Sequence, residues 1–298
     1  MILMKYEIQN KMITFNETNQ FQTIENFLDY FKQSKKNKYL LIQNKKLFLN
    51  NQPVKDVHER INGSPITLHL STNEVDWQPS NEPCEVLYQD AFILVVHKEA
   101  GIIIHGEESD THCLNAKVAR YLIDHNIHTT VRPLHRLDKD TSGIVLYSLI
   151  PFFQPWLDDC MEQKKIHREY LAIVYGNRKV GEKFDIHKFI GRDRHHSNQY
   201  RISKSGKEAL THCEVIDKYH EYNLIRCILD TGRTHQIRVH LSSIGLPIVN
   251  DPIYGKYSKD FKNMGLWAQK ISFKDPISEK KHKISEKYSK DYSIFDIQ

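Results

Sequence analysis

The sequence predicts a mixed α+β fold in two parts, and three observations carry that prediction. Short apolar, β-prone runs bounded by Gly, Asn or Pro recur along the chain, as at Phe92–Lys98, Ile144–Tyr147 and Leu171–Val174. Between them stand stretches whose apolar residues fall at i, i+3, i+4 and i+7, the mark of an amphipathic helix. A polar, Pro-bearing stretch without periodicity, residues 77–83, separates an N-terminal part from a longer second part.

Composition bounds what such a chain can be. Its 298 residues can bury a sizeable core, and 40% hydrophobic with 27% charged residues is ordinary for a soluble globular protein. A net charge of +5 and a pI near 8.7 permit a nucleic-acid partner without requiring one. The five cysteines, Cys84, Cys113, Cys160, Cys213 and Cys227, form no Cys-x-x-Cys pair, which suggests neither a disulfide framework nor a zinc ribbon and suits a reducing compartment. Met1–Asn10 lacks the basic start and apolar run of a signal peptide, and no window holds the roughly 18–20 apolar residues of a membrane span. A cytoplasmic protein, monomeric and away from membranes, is expected.

In the first part, Lys5–Phe15 reads as one initial strand. Ile24, Phe27, Leu28 and Phe31 then follow helical spacing behind Thr23, a suitable N-cap. Tyr39–Ile42 suggests a second short helix, Leu47–Val54 a strand, Asn-rich turn and strand, and Arg60–Leu70 a turn before an alternating strand. Residues 31–60 hold eight Lys/Arg against two acids, a surplus of six that exceeds that of the whole chain. Lys35-Lys36 alone would suit any solvated face. A whole segment of one sign suits a surface that tracks phosphates, with Lys35, Lys36, Lys45 and Lys46 as its contacts.

The second part opens with β-rich runs at Val86–Tyr88, Phe92–Lys98 and Gly101–His105, and Leu114–His125 reads as a helix. His135-Arg136-Leu137-Asp138-Lys139-Asp140-Thr141-Ser142-Gly143 then presents basic groups and two carboxylates just before the buried run Ile144–Tyr147, so polar chemistry stands at the edge of a core. Trp156–Lys165 suggests a helix and His167–Gly176 a strand. Residues 185–210 form a basic surface loop and hairpin, in which His195-His196 lack a third ligand at metal spacing; no metal site is expected. Ala209–Val215 and Tyr222–Leu229 suggest paired strands. Leu229–Leu241 reads as a strand end, a Gly turn and a helix N-terminus whose amides and guanidinium groups favour an anion. From Pro276 the chain turns Lys-, Ser- and Glu-rich, as a loosely held tail does.

Three of these segments, in order, carry a family resemblance. His135–Gly143 resembles the His-Arg-Leu-Asp-x-x-Thr-Ser-Gly signature of the RluA-type pseudouridine synthases, Arg168-Glu169-Tyr170-Leu171-Ala172 resembles their Arg-Glu-Tyr-x-Ala strand, and Thr231–His240 resembles their Thr-Gly-Arg-x-His-Gln-Ile-Arg-x-His. The likeness spans about residues 84–276. Three residues depart from the pattern: Glu99 for a proline, Asn250 for a glycine, and Trp267 for a histidine. The N-terminal part resembles an S4 RNA-binding module, with Leu49-Asn50-Asn51 where Val-Asn-Gly is usual and Gly63-Ser64 where Gly-Asp is usual.

The resemblance implies a catalytic domain at 84–276 built on a mixed, largely antiparallel sheet with a central cleft, an S4-like domain at 1–76, a linker at 77–83 and a polar tail at 277–298. It implies that Asp138 is the catalytic aspartate, that Tyr170 stacks on the target base, and that Arg238 pairs with Asp138 to hold it ionised and aimed. Arg136 would fill the space left by an extruded nucleotide or hold phosphate, with His135 and Arg233 as further RNA contacts. The reaction breaks a C1′–N1 bond and makes a C1′–C5 bond in rRNA or tRNA, and no cofactor is needed. A glycosidase would also use paired carboxylates, but Asp138 and Asp140, two apart on a turn, need not face one cleft. The alternative is a non-catalytic RNA-binding protein that keeps the fold.

Overall fold

A computed structural model describes the chain except residues 1–3, 71–73, 108, 276, 278–279, 287–291 and 296–298. The N-terminal unit comprises β1 (Tyr6–Gln9), β2 (Met12–Phe15), α1 (Ile24–Tyr30), α2 (Lys35–Gln43), β3 (Leu47–Leu49), β4 (Gln52–Pro53) and β5 (Ile66–His69), with its strands in the antiparallel order β1-β2-β5-β3-β4. The single strand expected over Lys5–Phe15 is instead a hairpin. Asn10 and Lys11 take φ of 50° and 63°, the consecutive left-handed pair that a two-residue turn requires. Helix α1 begins at Thr23 with a capping box, its hydroxyl accepting the Asn26 amide while the Asn26 side chain accepts the Thr23 amide. Its Ile24, Phe27 and Leu28 are buried.

The second unit comprises β6 (Val86–Gln89), β7 (Ile93–Lys98), α3 (Leu114–Asp124), β8 (Arg132–Pro133), β9 (Ser142–Ser148), α4 (Gln154–Glu162), β10 (His167–Tyr175), β11 (Lys183–His187), β12 (Ile190–Arg192), β13 (Tyr200–Ile202), β14 (Leu210–Tyr219), β15 (Tyr222–Leu229), α5 (Gln236–Ser242), β16 (Leu266–Lys274) and β17 (Lys281–Ser285). A ten-stranded sheet runs β11-β14-β15-β10-β16-β9-β7-β6, with β8 on β9 and β17 on β16. All its pairings are antiparallel except one. Strand β16 meets β9 in parallel at only two positions, Trp267 with Ser142 and Ala268 with Gly143, before turning its edge to β17.

The central strands read as continuous apolar runs because both sheet faces are covered, so that side chains alternate between two cores. Ile93, Val95, Ile144 and Leu146 join one core with the whole N-terminal unit, while Leu94, Val96, Val145 and Tyr147 join the other with α3, Tyr170 and Ala172. The joint between the units is aromatic: Phe31 lies 5.2 Å from Phe152 and 5.3 Å from Phe153, and Gln33 donates to the Phe152 carbonyl at 2.7 Å. The stretch at 77–83 is pinned along α3, with the Ser80 amide on the Ala116 carbonyl and Glu82 on Lys117.

Two further expectations differ from the structure. Gly101–His105 forms no strand; the carbonyls of Ile103 and Ile104 instead accept the amides of Leu114 and Asn115 at the start of α3. The C-terminal segment is no loose tail in its described residues. Strand β17 pairs with β16 from Lys270 to Lys274, and Tyr292 and Phe295 are buried beside Trp267. Polar composition concealed this because β17 lies at an edge, where alternate residues face solvent.

Candidate active site

Asp138 lies in the turn before β9, where its carbonyl accepts the Thr141 amide at 3.1 Å. The turn is held from behind by Lys98, fully buried at the end of β7. Its ammonium donates to the carbonyls of Glu99, Ile102 and Lys139 at 2.7–2.9 Å, and Lys139 also accepts the Gly101 amide. Burial pulls the Lys98 pKa down to about 8, with Asp140 and Asp138 acting against it. Gly143 is required where β9 meets β16. Its φ is +113°, and a Cβ there would lie 2.3 Å from the Ala268 carbonyl oxygen and 2.7 Å from Trp267 Cδ1.

The carboxylate of Asp138, 26% exposed, accepts from Arg238 Nη1 at 2.9 Å. Arg238 projects from α5, buried, and its other edge grips Asp251 through Nε at 2.7 Å and Nη2 at 2.9 Å. Asp251 also accepts the amides of Ile253 and Tyr254. Burial opposes both charges, yet their hydrogen-bonded pairing keeps Arg238 above and Asp251 below its ordinary pKa. The guanidinium is thus a fixed bracket with a two-point anchor on Asp251 and one donor left for Asp138.

Around this pair the chain builds a cleft. An inner cavity of about 80 Å³ is walled by Tyr170, Leu229, Ile237 and Leu266, and it shares Arg136, Asp138, Arg168, Gly232 and Arg233 with an outer hollow of about 560 Å³. Tyr170, 5% exposed, comes from β10, and burial raises its phenol pKa. Arg136 and Arg233 are exposed on the rim. The shape offers a carboxylate at the floor, an aromatic wall and a cationic mouth.

Not every expected residue serves this way. His135 is buried; its Nε2 accepts the Leu146 amide at 3.3 Å, and burial pushes its pKa down to about 3, so it is a neutral strut of the motif rather than an exposed RNA contact. Lys35, Lys36 and Lys45 are exposed, and with half-buried Lys46 they lie on the N-terminal unit, none of them lining the cleft. Within the same basic zone Lys38 is buried against Asp29 and Glu25, and Lys32 pairs with Asp159, so part of the charge surplus ties the unit together. The anion-binding amides expected at the start of α5 are in part occupied, since Gln236 Oε1 accepts the Arg233 amide.

The cleft also holds residues that the sequence reading passed over, though each stands inside a quoted motif or beside one. His235, at φ 56° just before α5, places Nε2 3.8 Å from Asp138 Oδ2. The Tyr254 hydroxyl accepts the Tyr200 amide and meets His235 Nδ1 at 2.9 Å, which fixes the imidazole ring in place. Burial keeps His235 below its ordinary pKa, against the pull of Asp138. Arg168 lies against Gly232 and lines both cavities. Away from the cleft, Asp90, Asp275 and His282 form the one grouping among the described residues with ligand atoms within 4.8 Å of one another. Asp90 there already accepts from the Tyr88 hydroxyl and from the amides of Phe92 and Ile93.

All three departures from the family pattern are accommodated. Glu99 pairs with Lys117 of α3 at 2.9 Å. Asn250 takes φ 54°, a conformation natural to glycine that asparagine tolerates, and its side chain holds the Phe261 carbonyl and the Ser258 amide. Trp267 is buried against Tyr292 and donates to Glu286.

Comparison with known proteins points to one family and one fold. The profile of the family described as RNA pseudouridylate synthase matches residues 92–243. The chain is 34% identical to the uncharacterized RNA pseudouridine synthase YhcT of Bacillus subtilis, over 78% of this chain and 80% of that protein. It is 36% identical to ribosomal large subunit pseudouridine synthase D of Nitrosomonas europaea, over 63% of this chain and 54% of that protein. The fold matches human RNA pseudouridylate synthase domain containing 1 with a TM-score of 0.58, at 24% identity over 70% of this chain and 84% of that one. No helix among the described residues is long and apolar enough to cross a membrane.

Proposed function

Because the chain belongs to the RluA-type branch of the RNA pseudouridylate synthase family and is an isomerase of uridine in RNA, we propose that Asp138 is the group on which its reaction turns. The observation that carries this reading is the bracket. A buried arginine, itself anchored at two points on Asp251, presents one donor to a carboxylate at the floor of a cationic cleft.

Isomerisation breaks the C1′–N1 bond and joins C1′ to C5; C5 then loses its proton and N1 gains one. A single fixed carboxylate can attack C1′ or take a sugar proton, and both roles need it charged. The uracil must first leave its stack, at a cost of a few kcal/mol. Tyr170, on the wall of the inner cavity, meets the extruded base in this reading, and the exposed Arg136 stands at the vacated position or on phosphate, with Arg168 and Arg233 along the backbone.

The N-terminal unit, residues 1–76, is read as an S4-like RNA-binding domain joined through 77–83 to the catalytic domain at 84–276. Lys35, Lys36 and Lys45 are solvent-facing there, beside a groove of about 430 Å³ that holds Lys46, His69 and His128. Ribosomal RNA of the large subunit is the first substrate to test, since several relatives carry it in their names. The protein is read as a monomer, and five free cysteines suit the cytoplasm.

The test is pseudouridine mapping of total RNA from cells with and without the gene, with rescue by the wild-type and Asp138→Asn forms. A uridine that loses its modification and is restored only by wild type establishes the reaction and the residue together. Restoration by Asp138→Asn refutes the role of Asp138. Loss at no site favours the non-catalytic RNA-binding alternative.

A further inference from the structure

We infer that Glu286, contributed by the segment after the last family strand, is a positioning residue for the catalytic turn; the inference rests on the assignment of Asp138 above. Strand β9, which leaves that turn, lies between β16 and β7 in the sheet. At its start Ser142 pairs with Trp267 and Gly143 with Ala268 on one side, while Gly143 pairs with Lys98 and Ile144 with His97 on the other. The two flanking strands therefore converge on the residues that follow Asp138.

Glu286 joins those flanking strands. Its Oε2 accepts the indole N–H of Trp267 at 2.5 Å, and its Oε1 accepts from His97 Nδ1 at 2.6 Å. Its backbone is fixed as well, with the amide on the Gln269 carbonyl at 3.0 Å and the carbonyl accepting from Gln269 Nε2 at 3.1 Å. The side chain is only 7% exposed, and a carboxylate so buried is tolerated because both oxygens are engaged. The indole held in this way approaches Gly143 closely, as the 2.7 Å from Trp267 Cδ1 to a Cβ built there shows.

Gly143 stands two positions beyond Thr141, whose amide binds the Asp138 carbonyl, and four beyond Lys139, whose carbonyl Lys98 grips. Releasing the carboxylate removes the tie between Trp267 and His97, loosens the two-residue parallel junction, and lets the turn carrying Asp138 drift relative to Arg238. Arg238 is fixed independently through Asp251, so the drift changes the aim of the nucleophile and leaves the cationic mouth intact. The departure at Trp267 thus has a partner in sequence: a tryptophan in the strand and a glutamate in the tail act as one unit.

The test uses the full chain and a tritiated transcript of the RNA found by the mapping experiment, measuring single-turnover tritium release at saturating enzyme and RNA affinity by filter binding. Glu286→Ala is expected to lower the saturating rate by about tenfold or more with RNA affinity unchanged, since small misplacements near reacting atoms cost rate steeply. Glu286→Gln, which keeps an acceptor for the indole, should recover part of that rate. Ile284→Ala controls for general loosening of β17 and should lower the melting temperature while keeping the wild-type rate. A wild-type rate in Glu286→Ala, or an equal loss in Ile284→Ala, overturns the positioning role. Turnover by Asp138→Asn under the same conditions would instead overturn the assignment of Asp138 on which the inference stands.

Discussion

Replacing Arg238 by lysine tests the bracket most directly. The guanidinium makes three contacts at once, two to Asp251 and one to Asp138, in directions that a planar fork satisfies and a single ammonium cannot. Lysine keeps the charge, so Asp251, whose carboxylate is wholly buried, is not left without a cation. Removing the cation altogether, as in Arg238→Ala, would strand that carboxylate and cost about 3–5 kcal/mol of stability. Arg238→Lys should therefore fold and bind RNA while losing the aim of Asp138. A displacement of about 1 Å at a reacting group costs on the order of 100-fold in rate, and a loss of that size is expected in single-turnover tritium release. RNA affinity, set mainly by exposed cations elsewhere, should not change. A lysine variant within about twofold of the wild-type rate would refute the view that geometry, beyond charge, holds the carboxylate proposed to carry the reaction.

Three other expectations follow from particular contacts. Phe31 is fully buried between Phe15, Phe27, Phe152 and Phe153, so Phe31→Ala should cost about 3–5 kcal/mol and be visible as a lower urea midpoint; separate melting of the two units in the wild type would refute the shared core. Gly143→Ala meets both an unfavourable φ and the Ala268 carbonyl, for a penalty of roughly 2–6 kcal/mol, and a normal melting temperature would show that the β9–β16 junction can yield. His135, held far below its ordinary pKa by burial, remains neutral in the fold and takes up a proton on unfolding. Its site thus loses stability as pH falls below roughly 6.5, because the unfolded chain binds the proton that the fold excludes. His97 acts in the opposite direction: burial lowers its pKa but Glu286 raises it further, so its contribution is complete below the ordinary histidine range and fades as pH rises through the raised value. Urea midpoints at pH 7 and pH 5 for wild type and His135→Asn should show the smaller acid loss in the variant; equal losses would remove His135 from the account.

Much of the site was legible because its chemistry is local in sequence. The Asp138 turn, the Tyr170 strand and the Arg238 helix each lie within a run of about ten residues or fewer, and the order of residues there sets the local conformation. Helices α1 and α3 were equally plain, since amphipathic spacing, joined in α1 by an N-cap, is a short-range signal. The hairpin at Asn10-Lys11 was missed because left-handed φ at a lysine has no strong signal in composition, and the tail strand because an edge strand needs only one apolar face.

What the sequence determined by itself is the set of chemical groups and the local frames that carry them: a carboxylate in a turn, an arginine on a helix, a tyrosine at a strand head. What only the tertiary structure decided is which partner each group finds. Arg238 is anchored by Asp251 more firmly than it is engaged by Asp138, His135 is internal, His235 faces the carboxylate, and Glu286 ties Trp267 of β16 to His97 of β7. These are contacts between residues 13 to 189 positions apart. Helix spacing and strand alternation report on the nearest few residues, whereas burial of a charge depends on what the rest of the chain brings to it.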